Sequence, residues 1–172
     1  RYWNDMGHPN YKINVNLSII QLLQNDMLDT MKAILDKTGL NPQNLTIEVT
    51  ESLAVNDMTY MRKILGSVKE LGVRVALDDF GTGYSSLNHI RELPIDIIKV
   101  DRCFVEDVGK DEYSEVFIKM VSELAKAIDV NVCVEGVEEA EQFLIMMKLK
   151  VNMIEGFYFD KPMRLEAYEE KY

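Results

Sequence analysis

Val73-Arg74-Val75-Ala76-Leu77-Asp78-Asp79-Phe80-Gly81-Thr82-Gly83 is the most informative stretch of this chain. A short apolar, β-branched run from Val73 to Leu77 reads as a buried strand, two carboxylates stand at its end, and a glycine-bearing turn leads into a helix expected from Tyr84. Strand, acidic end, turn and helix make one βα unit. Working outward, five further runs of the same kind lie at Lys12 to Leu17, Leu45 to Val49, Ile95 to Val100, Val130 to Val134 and Met153 to Phe159. Between them, apolar residues keep a spacing of three or four: Leu23, Met27, Met31 and Ile34; Met58, Met61, Leu65 and Val68; Phe117, Met120, Leu124 and Ile128. Ser18 with Gln21 makes a capping box for the first helix, and Gly39 and Gly72 are placed to close two others. Repeated βα units require parallel strands with helical crossovers, so the candidates are an open doubly wound sheet and a (β/α) barrel. A complete eight-unit barrel takes about 250 residues. About six units fit into 172.

Composition narrows the function. With 47% hydrophobic residues the chain can bury one core, and one domain is expected. A net charge of -10 and a pI near 4.7 argue against a nucleic-acid polymer as partner, since backbone binding needs a basic surface. A small phosphorylated ligand remains compatible if metal ions neutralise it. No stretch approaches the ~20 apolar residues of a membrane span and no signal peptide opens the chain, so a cytoplasmic setting without membrane contact is expected. Cys103 and Cys133 lack the spacing of a zinc site or a disulfide framework and read as reduced core thiols. Most of the ten methionines fall on apolar helix faces and read as core filler. Arg1 to Asn10 reads as polar loop, Glu166 to Tyr172 as a solvated final helix, and His8 and His89 as surface or packing histidines.

Polar residues recur where the strands end: Asn16, Glu48 with Glu51, Asp78 with Asp79, Lys99 with Asp101, Glu135, and Glu155 within the last run. In parallel α/β folds, ligands bind at the carboxyl ends of strands, so these side chains should converge. Taken singly, each has a structural reading as a helix cap, a solvated acid or an ion-pair partner. As a set, carboxylates gathered on one mouth repel one another unless cations neutralise them. Oxygen ligands without a His or Cys cluster favour Mg²⁺ or Mn²⁺ over zinc. Past the strand end, both Asp78 and Asp79 can turn toward the mouth.

The run Asp78-Asp79-Phe80-Gly81-Thr82-Gly83-Tyr84-Ser85-Ser86-Leu87 resembles the signature loop of EAL-domain cyclic-di-GMP phosphodiesterases. Further matches follow in family order at Val15-Asn16-Leu17-Ser18, Glu48-Val49-Thr50-Glu51-Ser52, Leu93-Pro94-Ile95-Asp96, Lys99-Val100-Asp101-Arg102, Glu135-Gly136-Val137-Glu138 and Phe159-Asp160-Lys161-Pro162. The resemblance implies an α/β fold of the TIM-like EAL barrel type, incomplete here, and hydrolysis of cyclic-di-GMP to linear pGpG with two divalent cations, Mg²⁺ or Mn²⁺. It implies that Asn16, Glu48 and Asp78 bind one ion and that Asp78, Asp79 and Glu135 bind the other. Lys99 would orient the attacking water, Glu51 would hold the signature loop, and Asp101, Glu155 and Tyr84 would face the substrate. It further implies a homodimer and flanking GGDEF or sensory domains. The family's Glu-Ala-Leu motif belongs upstream of Arg1, so residues 1–172 are expected to be a partial domain that lacks its N-terminal strand or strands and is inactive alone. Where the family shows Gln-Gly-Tyr, this chain has Glu155-Gly156-Phe157, which puts an extra negative charge beside the substrate. The competing reading is a degenerate EAL domain that senses cyclic-di-GMP or binds a protein without turnover.

Overall fold

The computed structural model describes residues 1–51, 58–83 and 87–172, with the backbone alone at 87–89. Among the described residues six strands form one parallel sheet: β1 (Ile13–Asn16), β2 (Leu45–Thr50), β3 (Arg74–Phe80), β4 (Ile97–Val100), β5 (Asn131–Val134) and β6 (Met153–Ile154). Their spatial order equals their sequence order. A doubly wound sheet reverses its order at a switch point, whereas this one never does. The sheet curls as a half-barrel with β1 and β6 at its edges, an incomplete (β/α) barrel.

Strand periodicity sorts side chains onto two faces. On the convex face Ile47, Val49, Val75, Leu77, Ile98, Val100, Val132 and Val134 pack in the main core. The helices supply its other half, with Met61, Leu65 and Val68 from α4 (Met58–Glu70) and Met146 from α7 (Ala140–Leu149) among its buried residues. Each such side chain contributes about 1.5–3 kcal/mol relative to exposure. On the concave face Ala76, Ile97 and Cys133 form a small second cluster with Met153.

The expected punctuation is present. Ser18 and Gln21 close a capping box on α2 (Ile19–Leu22), and Gly39 ends α3 (Met27–Thr38) in the left-handed conformation. Several expectations are corrected. The first helical run is two helices, because α2 ends at Leu22 and α3 begins only at Met27. β1 is not a buried strand: all four residues are exposed, since among the described residues β2 alone pairs with it. The last run holds a two-residue strand, because Gly156 passes so close to Val137 that an added Cβ would lie 2.1 Å from its carbonyl oxygen. The chain then turns, with the Tyr158 N–H donating to Val137 O. In α6 (Glu112–Ala127) the buried face is Ser114, Ile118, Val121 and Ala125, one position on from the expected stripe, and Met120 is exposed. Arg1 to Asn10 contains a helical turn, α1 (Tyr2–Asp5), and Trp3 packs on Tyr11 and Tyr168. Cys133 is buried, but Cys103 is exposed and free. The acidic tail forms α8 (Leu165–Lys171) with no buried residue, as expected.

Candidate active site

The concave face carries its polar side chains at the carboxyl ends of the strands. Glu48 on β2 lies in register with Asn16 and Ala76, Asp78 on β3 with Thr50, and Lys99 on β4 with Cys133. Glu135 and Glu155 follow β5 and β6 directly, their N–H groups continuing the ladders to Val100 O and Val134 O. These elements aim four carboxylates at one ammonium. Lys99 Nζ lies 2.6 Å from Glu48 Oε1 and 2.6 Å from Glu135 Oε1, with Asp78 Oδ1 and Glu155 Oε2 each at 3.6 Å. The two shorter contacts are charge-assisted hydrogen bonds and the two longer ones ion pairs. Lys99 and Glu48 are both buried.

Four carboxylates around one ammonium leave an excess of three negative charges if all are ionised. The consequences run in opposite directions for the two signs. Burial alone would lower the Lys99 amine, but its hydrogen bonds to Glu135 and Glu48 and the charge of Glu155 outweigh it and hold the ammonium protonated. Burial raises the Glu135 carboxyl; Lys99 opposes this, but Asp78 and Glu155 reinforce it and the shift is upward. Asp79 is likewise raised, by burial first and then by Asp78 and Asp101, against Lys99. One lysine does not neutralise this mouth.

Asp78 and Asp79 reach it by a route the sequence did not reveal. They lie within β3 rather than beyond it, and the ladder to β4 shifts register between Leu77 and Phe80. Asp79 takes a left-handed φ of 56°, which Asp tolerates better than most residues. This irregularity breaks the alternation that would send neighbouring side chains to opposite faces. Asp78 Oδ1 also accepts the Asp79 N–H at 3.1 Å.

Glu51, 3% exposed, holds the turn that follows: its Oε2 accepts the N–H groups of Gly81 at 3.0 Å and Gly83 at 3.1 Å. Hydrogen bonds to a charged group are worth roughly 1.5–3 kcal/mol each, so Glu51→Ala is expected to cost about 3 kcal/mol once non-additivity is allowed for. Amide exchange at Gly81 and Gly83 should accelerate with it, and unchanged protection there would show that the turn holds itself.

A family model described as EAL domain matches residues 1–162. The chain belongs to the EAL domain family. Among curated proteins, this EAL domain is 34% identical over 166 residues to the bifunctional diguanylate cyclase/cyclic di-GMP phosphodiesterase MucR of Pseudomonas aeruginosa, covering 96% of this chain and 24% of MucR. It is 35% identical over 170 residues to the cyclic di-GMP phosphodiesterase PdeR of Escherichia coli, covering 99% of this chain and 26% of PdeR. The chain thus spans about a quarter of the length of these relatives. Among solved structures it is similar to PaMucR phosphodiesterase in complex with c-di-GMP, with TM-score 0.92 and 34% identity over 97% of this chain and 68% of that one. It is also similar to the manganese/cyclic-di-GMP complex of Klebsiella pneumoniae BlrP1, with TM-score 0.84 and 27% identity over 92% of this chain and 41% of that one.

The remaining candidates in this EAL domain fall on either side of the cluster. Asn16 ends β1 opposite Glu48 but is exposed. Asn14, one pleat earlier, instead donates from Nδ2 to Glu48 Oε1 at 2.9 Å. Period-two alternation puts both on one face, and that was the signal available for finding Asn14. Asp101 accepts the Cys103 N–H at 2.9 Å and caps the 3₁₀ turn Arg102–Phe104, which is the structural role an Asp after a strand often has. Phe157 is half exposed with Lys161 Nζ 5.5 Å from its ring centre. Tyr84 and the His89 side chain lie outside the described residues. Among the described residues, no three acidic, His or Cys side chains are arranged to enclose a metal ion. The carboxylates are gathered on Lys99 instead. Their donor chemistry is nevertheless all oxygen with surplus negative charge, which suits a hard divalent cation.

Proposed function

We propose that this EAL domain hydrolyses one phosphodiester bond of cyclic-di-GMP to give linear pGpG, in the cytoplasm. The observation that carries this reading is the convergence of Glu48, Asp78, Glu135 and Glu155 on buried Lys99 at the carboxyl ends of the strands. Asn16, Glu48 and Asp78 would hold one divalent cation and Asp78, Asp79 and Glu135 a second, Mg²⁺ or Mn²⁺. Such ions, when bound, supply positive charge to the phosphoryl oxygens and make water acidic enough to attack near neutral pH. Lys99, within reach of ligands of both ions, would position that water for in-line attack on phosphorus as the P–O bond to the leaving sugar oxygen breaks. Glu51 would keep the Gly81–Gly83 turn in place, and Asp101, Tyr84 and Glu155 would face the nucleotide. The likeness to c-di-GMP complexes of PaMucR and BlrP1 supports the substrate class. The 172 residues contain no Glu-Ala-Leu triplet, and under this reading residues 1–172 are part of an EAL domain whose motif glutamate comes from a preceding segment. Dimerisation of the domain, and a cyclase or sensory domain beside it, are part of the same reading. No described helix is long and apolar enough to cross a membrane. The test is chromatographic detection of pGpG from cyclic-di-GMP by the complete polypeptide with Mg²⁺ or Mn²⁺. Binding without pGpG would favour a non-catalytic sensor.

The observation favouring that second reading is Glu155, whose carboxylate adds to a mouth already in negative excess. Two unit charges 4 Å apart interact by about 1 kcal/mol in water and about 4 at the dielectric of a protein surface. Lys99 offsets part of this. Glu155→Gln should therefore tighten cyclic-di-GMP binding by about 1–2 kcal/mol, a five- to thirtyfold change, measured with Ca²⁺ to suppress turnover. The gain should shrink as salt rises. Equal affinities at low salt would mean that Glu155 does not act on the ligand.

A further inference from the structure

The turn after β4 is wedged between the turns after β3 and β5. Arg102 to Phe104 form a 3₁₀ turn just beyond Lys99 and Val100. On one side, a Cβ added to Gly81, φ 101°, would lie 2.5 Å from Phe104 Cε2 and 2.8 Å from Phe117 Cζ, so the backbone of the bend after Asp79 rests on those two rings. The Phe104 ring is itself held flat on Phe117 of α6, with 3.9 Å between centres and 10° between planes. On the other side, a Cβ added to Gly136, φ 77°, would overlap the Arg102 Cβ and lie 3.2 Å from the Arg102 Cα. The backbone fixes that Cβ, so the contact is between turns and no rotamer change relieves it. Glycine alone allows both approaches and takes both φ values without strain. The wedge is closed by its own hydrogen bonds, with Asp101 Oδ1 accepting the Cys103 N–H at 2.9 Å and Asp101 O the Phe104 N–H at 3.2 Å. Gln142 on α7 ties it down, donating from Nε2 to Val105 O at 3.1 Å. β4 has a strand on each side, so these contacts lie inside the sheet and owe nothing to its open edges.

Gly81 stands two residues after Asp79, and Gly136 follows Glu135 directly. The two acids leave strands that are not neighbours, because β4 lies between β3 and β5. Strand pairing alone does not fix their separation, since the β3–β4 ladder shifts register between Leu77 and Phe80, over the stretch that carries Asp79. Their like charges push them apart. With consecutive Cα atoms fixed ~3.8 Å apart, a displacement of either glycine is passed on to the acid beside it. We propose that the turn Arg102–Phe104 is a positioning wedge: seated on Gly81 at one side and on Gly136 at the other, it sets the separation of Asp79 from Glu135. Phe104 is then a positioning residue that acts through Gly81. The proposal rests on the reading of Asp79 and Glu135 as ligands of one divalent cation.

The test uses the complete polypeptide with Phe104→Leu, which keeps an apolar side chain but removes the flat ring under Gly81, beside Gly136→Ala and a control, Val68→Ala. Val68 is fully buried near the end of α4, where that helix leads back to the amino end of β3, so its truncation loosens the core away from the mouth. Mn²⁺ affinity is measured by calorimetry. Hydrogen exchange of peptides covering residues 78–83 and 135–137 is followed by mass spectrometry without metal. Phe104→Leu should weaken Mn²⁺ binding about tenfold, the lower end of what losing a group that orients metal ligands costs. It should also speed exchange in both segments. Gly136→Ala, which pushes on Arg102, should speed exchange in residues 78–83 on the far side of the wedge. Val68→Ala should lower the melting temperature and leave Mn²⁺ affinity unchanged. Equal Mn²⁺ affinity in Phe104→Leu and the unsubstituted protein, or an equal loss in Val68→Ala, overturns the proposal. An unsubstituted protein that binds no Mn²⁺ overturns the metal reading instead, and exchange then decides the wedge: acceleration of residues 135–137 in Phe104→Leu supports it, and acceleration confined to residues 78–83, or none, overturns it. Should Gly136→Ala fail to fold, Phe104→Leu decides alone.

Discussion

Asp79→Asn, assayed in the complete polypeptide, is expected to lower hydrolysis of cyclic-di-GMP by about 10³-fold or more, the scale of losing a principal charge-stabilising group. Its melting temperature should be unchanged or higher. The two effects separate because the Asp79 carboxyl is raised by burial and by its neighbours Asp78 and Asp101, so its ionised form is disfavoured in the fold. A neutral amide of the same shape relieves that repulsion while removing the charge of a proposed metal ligand. Asp78→Asn should lose activity to the same extent; its amide oxygen can still accept the Asp79 N–H, but it removes a charged partner of Lys99. The pH dependence has a definite sign. Asp79 and Glu135 bind protons more tightly folded than unfolded, so their contribution to stability is present below the ordinary carboxylate range and is lost as pH rises through their raised values. Divalent cations should restore stability at neutral pH. Full turnover by Asp79→Asn, or a clear fall in its stability, would contradict the metal-site assignment.

Lys99→Met should be the most destabilising single change at the site. Among the described residues it removes the one cation paired with Glu48, Asp78, Glu135 and Glu155, while keeping most of the length of the side chain. Removing one partner of a buried ion pair costs roughly 3–5 kcal/mol, because the other charge stays buried without compensation. For a domain of this size that is a fall in melting temperature of roughly 6–20 °C. The penalty should shrink as pH falls and the carboxylates take up protons. Millimolar Mn²⁺ should recover part of the loss by replacing the missing positive charge. Thermal unfolding with and without Mn²⁺ checks this, and a melting temperature within a degree or two of the unsubstituted protein would show that the cluster is solvated rather than held by Lys99.

The readability of this chain varied with the range of the interaction. Strand and helix alternation, caps and the ring of acids at strand ends are local patterns, and the carboxylates did converge. The sequence could not show that Lys99 would bind several of them at once, since that depends on the curl of the sheet. The β3 irregularity at Asp79 was hidden because a valine-rich run gives no sign of a register shift. Asn14 was not singled out beside Asn16, although alternation put both on one face and only the depth of Glu48 decides that Asn14 hydrogen-bonds to it. The shortness of β6 follows from a contact between Gly156 and Val137, two residues far apart in the pattern of either strand. The buried face of α6 was misplaced by one residue because Phe117 drew the stripe toward itself; it is only partly buried, stacked on Phe104 at 3.9 Å and on Phe80 of β3 at 6.3 Å.

Among the described residues, β1 has a neighbour on one side only, and Ile13 and Val15 are 52% and 41% exposed. A strand in that position is a template: its free N–H and C=O groups can recruit another extended segment, and its apolar face rewards the pairing. Preparations of this chain will therefore be sensitive to concentration in a way unrelated to any biological dimer, with sheet extension through β1 as the route to aggregates. Charges placed at Ile13 or Val15 would act as gatekeepers against it without touching the acidic mouth.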